Sequence, residues 1–166
     1  MIVIGIDPGL ANTGYGVVGR RDGHLVALDG GVIETRAGLP AERRLADIHG
    51  AIAALIDEHV PDAMALEELY FGQNARSAFA VGQARGAVML AAGQRGVPCA
   101  GYTPQQVKNA VCGSGRAQKG QVARMVATLL GLNDLPRPDH AADALAVAIC
   151  HANRTPLSVA LAREGA

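Results

Sequence analysis

Tryptophan is absent from the chain, and its only aromatic residues are three tyrosines and two phenylalanines. The core must therefore be built from aliphatic side chains, which the sequence supplies, since 49% of its residues are hydrophobic. In a chain of 166 residues this content supports one domain with a substantial core. We expect a single domain over residues 1–153 and a mobile tail over residues 154–166.

Long hydrophobic runs and cysteine pairs are also missing. No apolar run is long enough to span a membrane, and the N-terminus carries no signal-peptide pattern. Cys99, Cys112 and Cys150 form neither a CxxC pair nor a zinc-type spacing. We therefore expect a cytoplasmic protein without membrane contact, whose cysteines are buried free thiols.

Acidic residues are missing from the whole stretch between Leu69 and Asn133. The formal net charge is zero, since 15 basic residues balance 15 acidic ones, and the acids are concentrated before this stretch and around residues 134–143. The charged residues inside the stretch are all basic, namely Arg76, Arg85, Arg95, Lys108, Arg116, Lys119 and Arg124. This separation favours phosphate binding on one surface and metal binding at one point, although a solvated helical surface can have the same pattern.

The hydrophobic pattern predicts strands at the start of the chain and helices later. Continuous or alternating apolar segments predict strands over residues 1–7, 14–20, 24–35, 61–68 and 97–102, with a hairpin at Arg21-Asp22-Gly23. Spacings of three and four predict helices from about 41 to 59 and over 74–94, 105–111, 118–130 and 138–152. This order predicts an α/β fold with one mixed five-stranded sheet flanked by helices on both faces.

Three acids lie where such a fold would bring them together. Asp7 ends the first predicted strand, Glu67 ends the fourth, and Asp143 lies on an apolar surface of the last helix. Ligands gather at the carboxyl ends of strands in α/β sheets, and buried acids are rare unless they are paired or metal-bound. The cluster predicts a site for Mg²⁺ or Mn²⁺, where two ions can support hydrolysis of a phosphodiester. Taken singly, each acid also fits a turn or a partly exposed position.

A fourth member of this site has two candidates in the last helix. His140 precedes Asp143 by three residues and Asp139 precedes it by four, so both are neighbours of Asp143 on a helical face. Helical spacing alone does not choose between them.

Four segments together resemble the RuvC Holliday-junction resolvases. They are MIVIGIDPGLANTGYGVV, ALEELYFGQNARSAFAVGQARG, QVKNAVCGSGRAQKGQV and DHAADALAVAICH, which extend in order from Met1 to about His151. The resemblance implies an RNase H-like homodimer that uses Mg²⁺ or Mn²⁺ to nick opposed strands of a four-way DNA junction. It also implies action with a junction-migrating helicase complex in recombination and DNA repair, and it makes Asp7, Glu67 and Asp143 the metal-binding catalytic carboxylates.

The chain departs from the commonest pattern of these resolvases at the fourth position. Many members carry Asp where this chain has His140, and some carry His. We favour His140 as a metal ligand or general base, whereas Asp139 would fit only after a one-residue change of helical register. Because imidazole is a softer ligand than carboxylate, His140 should shift the metal preference toward Mn²⁺.

Five residues are candidates for contact with DNA. Lys108 and Lys119 are the only lysines in the chain and match basic positions of the family, and Arg116 lies between them near a glycine-rich loop. Tyr70 and Phe71 directly follow the fourth strand, where one of them can stack on an unpaired base. Tyr70 matches the aromatic residue of the family better, although both residues also suit a core or an interface.

Small residues and a second motif leave other interpretations open. Gly82 and Gly86 are four residues apart, which suits close helix packing within the chain or between subunits. Gly5 to Gly9 also resembles the phosphate-binding hairpin of actin-like and sugar-kinase ATPases, but those proteins need a second, duplicated half. A junction-binding scaffold with a decayed site and a nuclease for RNA–DNA hybrids or other branched DNA are weaker alternatives.

Overall fold

A computed structural model describes residues 1–68 and 74–154. Its strands are β1 (Ile2–Asp7), β2 (Asn12–Arg21), β3 (His24–Glu34), β4 (Ala63–Glu67) and β5 (Cys99–Tyr102). Its helices are α1 (Ala41–His59), α2 (Ala75–Gln94), α3 (Pro104–Cys112), α4 (Lys119–Leu129) and α5 (Asp139–Arg154). The predicted order of elements is confirmed over these residues.

The five strands form one mixed sheet in the order β3-β2-β1-β4-β5. β1, β2 and β3 form an antiparallel meander, whereas β4 and β5 run parallel to β1 and β4 respectively. The turn between β2 and β3 places Asp22 and Gly23 at φ of 51° and 82°, as a tight hairpin requires. β1 therefore lies at the centre of the sheet, with a neighbour on each side.

Both faces of the sheet are covered by helices, as the sequence predicts. Alternate side chains of a strand point to opposite faces, so Val3 packs in the core beneath α3, α4 and α5, whereas Ile4 and Ile6 pack in the core beneath α1 and α2. Two of the helices begin at side-chain caps. The Asn74 side chain accepts a hydrogen bond from the Arg76 amide at the start of α2, and Thr103 forms a capping box with Gln106 at the start of α3.

Several elements begin at slightly different residues from those predicted. β5 begins at Cys99 rather than two residues earlier, because Pro98 has no N–H for the ladder and offers only its carbonyl, which accepts from Met64 N. α5 begins at Asp139, and the preceding Pro138 offers its carbonyl to the Ala141 amide. β2 begins two residues earlier than predicted, at Asn12.

The prediction of buried thiols is right for Cys150 and wrong for Cys99. Cys150 is buried in α5, Cys112 is half-buried, and Cys99 is exposed at the first residue of the edge strand β5. None of the helices in the described parts of the chain is both long enough and apolar enough to cross a membrane. Of the predicted tail, only Arg154 belongs to the described residues.

Candidate active site

Asp7 and Glu67 lie side by side as the last residues of the neighbouring strands β1 and β4. β1 and β4 are parallel and in register, with Ile6 opposite Leu66, so the next residue of each strand lies at the same edge. In β1, Asp7 follows Val3 and Gly5 on the face that carries α5. Glu67 follows the buried Ala65 on that same face. The pleat of two neighbouring strands therefore directs both carboxylates beneath α5.

Three glycines let α5 lie unusually close to the sheet. A Cβ on Gly5 would overlap the backbone of Ala144 and Ala148, and a Cβ on Gly16 would overlap Leu145. Gly14, in β2, faces the backbone carbonyl of His140 in the same way. This close packing positions the first turns of α5, which carry His140 and Asp143, next to Asp7.

The side chains of Asp7, His140 and Asp143 form a compact cluster. His140 Nδ1 lies 3.0 Å from Asp7 Oδ2, and one ligand atom from each of the three residues lies within 4.8 Å of the others. Asp139, the alternative fourth residue, is not part of this cluster in the described structure, and its side chain is 79% exposed. The geometry thus brings His140, rather than Asp139, to the predicted carboxylates.

Glu67 completes the group from the neighbouring strand. Burial, the negative charges of Asp7 and Asp143, and a hydrogen bond with Asp7 raise the pKa of Glu67 to about 7, although Lys108 opposes the rise. Burial also raises the pKa of Asp143 despite the nearby Lys119. These carboxylates repel one another when all are ionised. A bound divalent cation would offset that repulsion, so the cluster favours cation binding.

The donor set fits a hard divalent cation. Asp7, Glu67 and Asp143 offer carboxylate oxygens and His140 offers an imidazole nitrogen, a combination suited to Mg²⁺ and more so to Mn²⁺. A positive charge already lies at this point of the structure, because Lys119 Nζ is 3.2 Å from Asp143 Oδ2. These residues are therefore the ones that would hold a metal.

A cleft of about 280 Å³ opens beside the carboxylates. The residues from α3, α4 and α5 that line it together with the acids are Pro104, Val107, Lys108, Lys119, Val122 and Ala146. Arg116 is exposed in the loop between α3 and α4, where its amide donates to Ser114 Oγ. Tyr70 and Phe71 lie outside the described residues. The cleft thus combines acids at its base with the only two lysines of the chain.

Two threonines hold the loop after Asp7, a role that the sequence pattern does not predict. Thr13 is buried and donates from Oγ1 to the Gly9 carbonyl at 2.6 Å. Thr35 donates to the Leu10 carbonyl at 2.6 Å and accepts from Arg44 Nε at 2.8 Å. Buried threonines beside a turn are the signal that could have revealed this support, but threonine is also common in strands.

Arg85 has a different role from the one that its place in the acid-free stretch suggested. Its Nη1 donates to the backbone carbonyl of Glu67 at 2.7 Å and so secures the end of β4. At least one basic residue of the stretch therefore supports the site from within the fold.

Comparison with known proteins decides the family. The profile described as crossover junction endodeoxyribonuclease RuvC matches residues 3–151. The chain belongs to the RuvC family. A RuvC protein from Moorella thermoacetica is 54% identical over 156 residues, which cover 94% of this chain and 93% of that protein. One from Thermomicrobium roseum is 53% identical over 151 residues, covering 91% and 92% of the two chains.

Solved structures of RuvC proteins confirm the predicted fold. Thermus thermophilus RuvC in complex with a Holliday junction substrate matches with a TM-score of 0.88 and 44% identity, covering 92% of this chain and 93% of that one. The yeast mitochondrial resolvase Ydc2 matches with a TM-score of 0.61 at 16% identity, covering 89% and 77%, and so supports the fold alone. The expected RNase H-like architecture of the RuvC family is therefore correct for this chain.

Proposed function

We propose that this chain is a divalent-metal-dependent endonuclease that resolves four-way DNA junctions by paired, symmetric nicks. The observation that carries the proposal is the convergence of Asp7, Glu67, His140 and Asp143 at one end of a lysine-lined cleft. The similar Thermus thermophilus RuvC was solved with a Holliday junction substrate, which supports the choice of substrate.

Asp7, Glu67, His140 and Asp143 are the proposed metal-binding and catalytic residues. Two bound Mg²⁺ or Mn²⁺ ions would supply Lewis-acid activation of a water and stabilise charge on the leaving oxygen. The chain itself orients the ligands, since Asp7 Oδ2 holds His140 Nδ1 at 3.0 Å. With Nδ1 held in this way, Nε2 is the His140 atom left to ligate a metal or, as the alternative role, to accept a proton from the attacking water.

The proposed DNA surface comprises Lys108, Lys119 and Arg116, with Tyr70 and Phe71 as stacking candidates. Both lysines line the cleft beside the carboxylates, so a phosphate drawn to them would be brought toward the acids. Replacing Lys108 with Ala should weaken junction binding and lower the slope of log affinity against log salt by about 1. An unchanged slope would remove Lys108 from the DNA surface. Junction affinity should also be compared between Tyr70→Ala and Phe71→Ala. The variant that loses affinity relative to wild type would identify the stacking residue.

The proposed homodimer would use the outer face of α2. Phe79 and Leu90 on this helix are 69% and 57% exposed, and Gly86 between them has open space beside its Cα. Such an apolar helical surface suits a self-complementary contact, and a two-fold dimer matches two symmetric nicks. Phe79→Arg should therefore sediment as a monomer, while Leu135→Arg, exposed elsewhere, should remain dimeric. A dimeric Phe79→Arg protein would exclude this face.

The proposed cellular setting is the cytoplasm, where the dimer would act with a junction-migrating helicase complex in recombinational repair. The family membership supports this setting. Recovery of the helicase complex with the wild-type protein on a four-way junction, and not on a linear duplex, would test it.

Cleavage of a synthetic immobile four-way junction, compared with a duplex of the same arm sequence, tests the function directly. We expect nicks on the junction at symmetric positions of opposed strands and little cutting of the duplex. Asp7→Asn should bind the junction with near-normal affinity yet leave it uncut, because the lysines are retained. Equal cutting of both DNAs, or normal cutting by Asp7→Asn, would overturn the proposal.

A further inference from the structure

Lys119 bends back from the first turn of α4 toward the acids. Its side chain is 61% exposed, yet its Nζ lies 3.2 Å from Asp143 Oδ2 and 3.7 Å from Asp139 Oδ2. We propose that Lys119 is a built-in counter-cation that competes with the divalent metal for Asp143 and is released toward DNA when the metal binds. This inference rests on the proposed metal-dependent function.

The two cations exclude one another at Asp143. A divalent ion bound to a carboxylate oxygen lies about 2.1 Å from it, whereas the ammonium now lies 3.2 Å from Oδ2 of the same group. Both cations on this side chain would be only a few ångströms apart, in a part-buried site where like charges repel strongly. Asp7, beside Asp143, adds to the negative charge that attracts both.

The Lys119 ammonium has an alternative position in the cleft. It lines the cleft together with Lys108, and its four-carbon stem allows the ammonium to turn away from Asp143 without moving α4. Once released, the ammonium can meet a DNA phosphate. Metal binding at Asp143 would free the Lys119 ammonium for a phosphate, and phosphate binding by Lys119 would free Asp143 for the metal. The two binding events are then coupled, and such coupling is reciprocal.

Competition between Lys119 and the metal for Asp143 can be distinguished from a simple role in DNA binding, because it affects the protein in the absence of DNA. If Lys119 only contacted phosphate, its removal would leave the metal affinity of the free protein unchanged. If it competes for Asp143, removal must increase that affinity. A mostly exposed ion pair of this kind corresponds to a roughly two- to fivefold change in binding.

The test measures Mn²⁺ binding to the DNA-free protein by the electron paramagnetic resonance signal of unbound Mn²⁺. Lys119→Met, which keeps the length of the stem, should bind Mn²⁺ about two- to fivefold more tightly than wild type. Lys119→Arg, which keeps the charge, should stay near the wild-type affinity. Arg124→Met removes the same charge from an exposed position of the same helix and controls for the overall charge of the protein.

The outcomes separate this proposal from the proposed function. Equal or weaker binding by Lys119→Met, or the same gain in Arg124→Met, overturns the counter-cation. If Asp7→Asn binds Mn²⁺ as well as wild type does, the metal site itself is wrong and the proposed function fails with it. Retained melting temperatures of the variants show that the comparison is made on folded protein.

Discussion

Gly14 of β2 lies directly against the backbone carbonyl of His140 in α5, with no room for a side chain between them. Gly14 is not one of the candidate ligands, yet it sets the distance between the last helix and the end of the sheet that carries Asp7. The requirement is one of space rather than of backbone conformation.

Gly14→Ala should weaken both the fold and the reaction. The added methyl group must push α5 away from the sheet, and such overpacking costs about 1–3 kcal/mol of stability. Because His140 moves with α5, we expect cleavage to fall by at least tenfold, measured on a four-way junction below the melting temperature. Gly50→Ala is the matched control, since Gly50 lies in α1 with open space beside it, and it should stabilise by up to about 1 kcal/mol. Normal activity in Gly14→Ala would show that this contact does not position the site.

Thr35→Val should loosen the loop that follows Asp7. The substitution removes the hydroxyl that donates to the Leu10 carbonyl and accepts from Arg44, and unpaired buried groups cost about 1–3 kcal/mol. We expect a lower melting temperature and a lower turnover with little change in junction affinity. Thr128→Val, whose hydroxyl bonds within exposed α4, should change stability by less than about 0.5 kcal/mol. If both variants behave alike, the loop is not held through Thr35.

Metal binding should stabilise the protein more at pH 8 than at pH 6. The pKa of Glu67 is raised from 4.5 to about 7 in the metal-free fold, so the native state holds an extra proton between these values and loses stability as pH rises through them. A divalent ion needs the ionised carboxylate, so below about pH 7 it must displace that proton. Melting temperatures with and without Mn²⁺ at the two pH values measure the difference, and Glu67→Gln should reduce it. A Mn²⁺ effect that is equal at both pH values would exclude Glu67 as a ligand.

His140→Asp should change which metal supports cleavage best. Replacing imidazole with carboxylate makes the donor set harder, so the ratio of the cleavage rate in Mn²⁺ to that in Mg²⁺ should decrease severalfold. Asp139→Asn serves as the control, because the Asp139 side chain is mostly exposed and lies outside the cluster. A shift of the ratio in Asp139→Asn but not in His140→Asp would assign the fourth position to Asp139.

The arrangement around Asp7, Glu67 and Asp143 could be predicted from the sequence because it follows from local patterns. The alternation in β1 and β4 places each acid at a strand end, and the apolar surface of α5 requires that helix to pack on the sheet. The edges of the fold were less predictable. β5 looked longer than it is, because the valine and proline before Cys99 are apolar but Pro98 cannot donate to the ladder.

The supporting contacts could not be predicted, since they depend on residues that are distant in the sequence. Thr35 and Leu10 are separated by 25 positions and meet only after β2 and β3 pair. The sequence predicts Lys119 as a DNA contact, but its approach to Asp143 depends on the angle between α4 and α5, which no local pattern encodes. Sequence periodicity reports which face of an element is buried, but not the tertiary angle at which two faces meet.

The central position of β1 has a consequence for how the protein is made. Asp7 and His140 are separated by 133 positions, and the first strand emerges from the ribosome long before the helix that completes its site. A contact between residues so distant in the sequence can form only when most of the described chain has been synthesised. A nascent or truncated chain that lacks α5 also lacks His140 and Asp143, so the proposed nuclease centre can form only after α5 has been added.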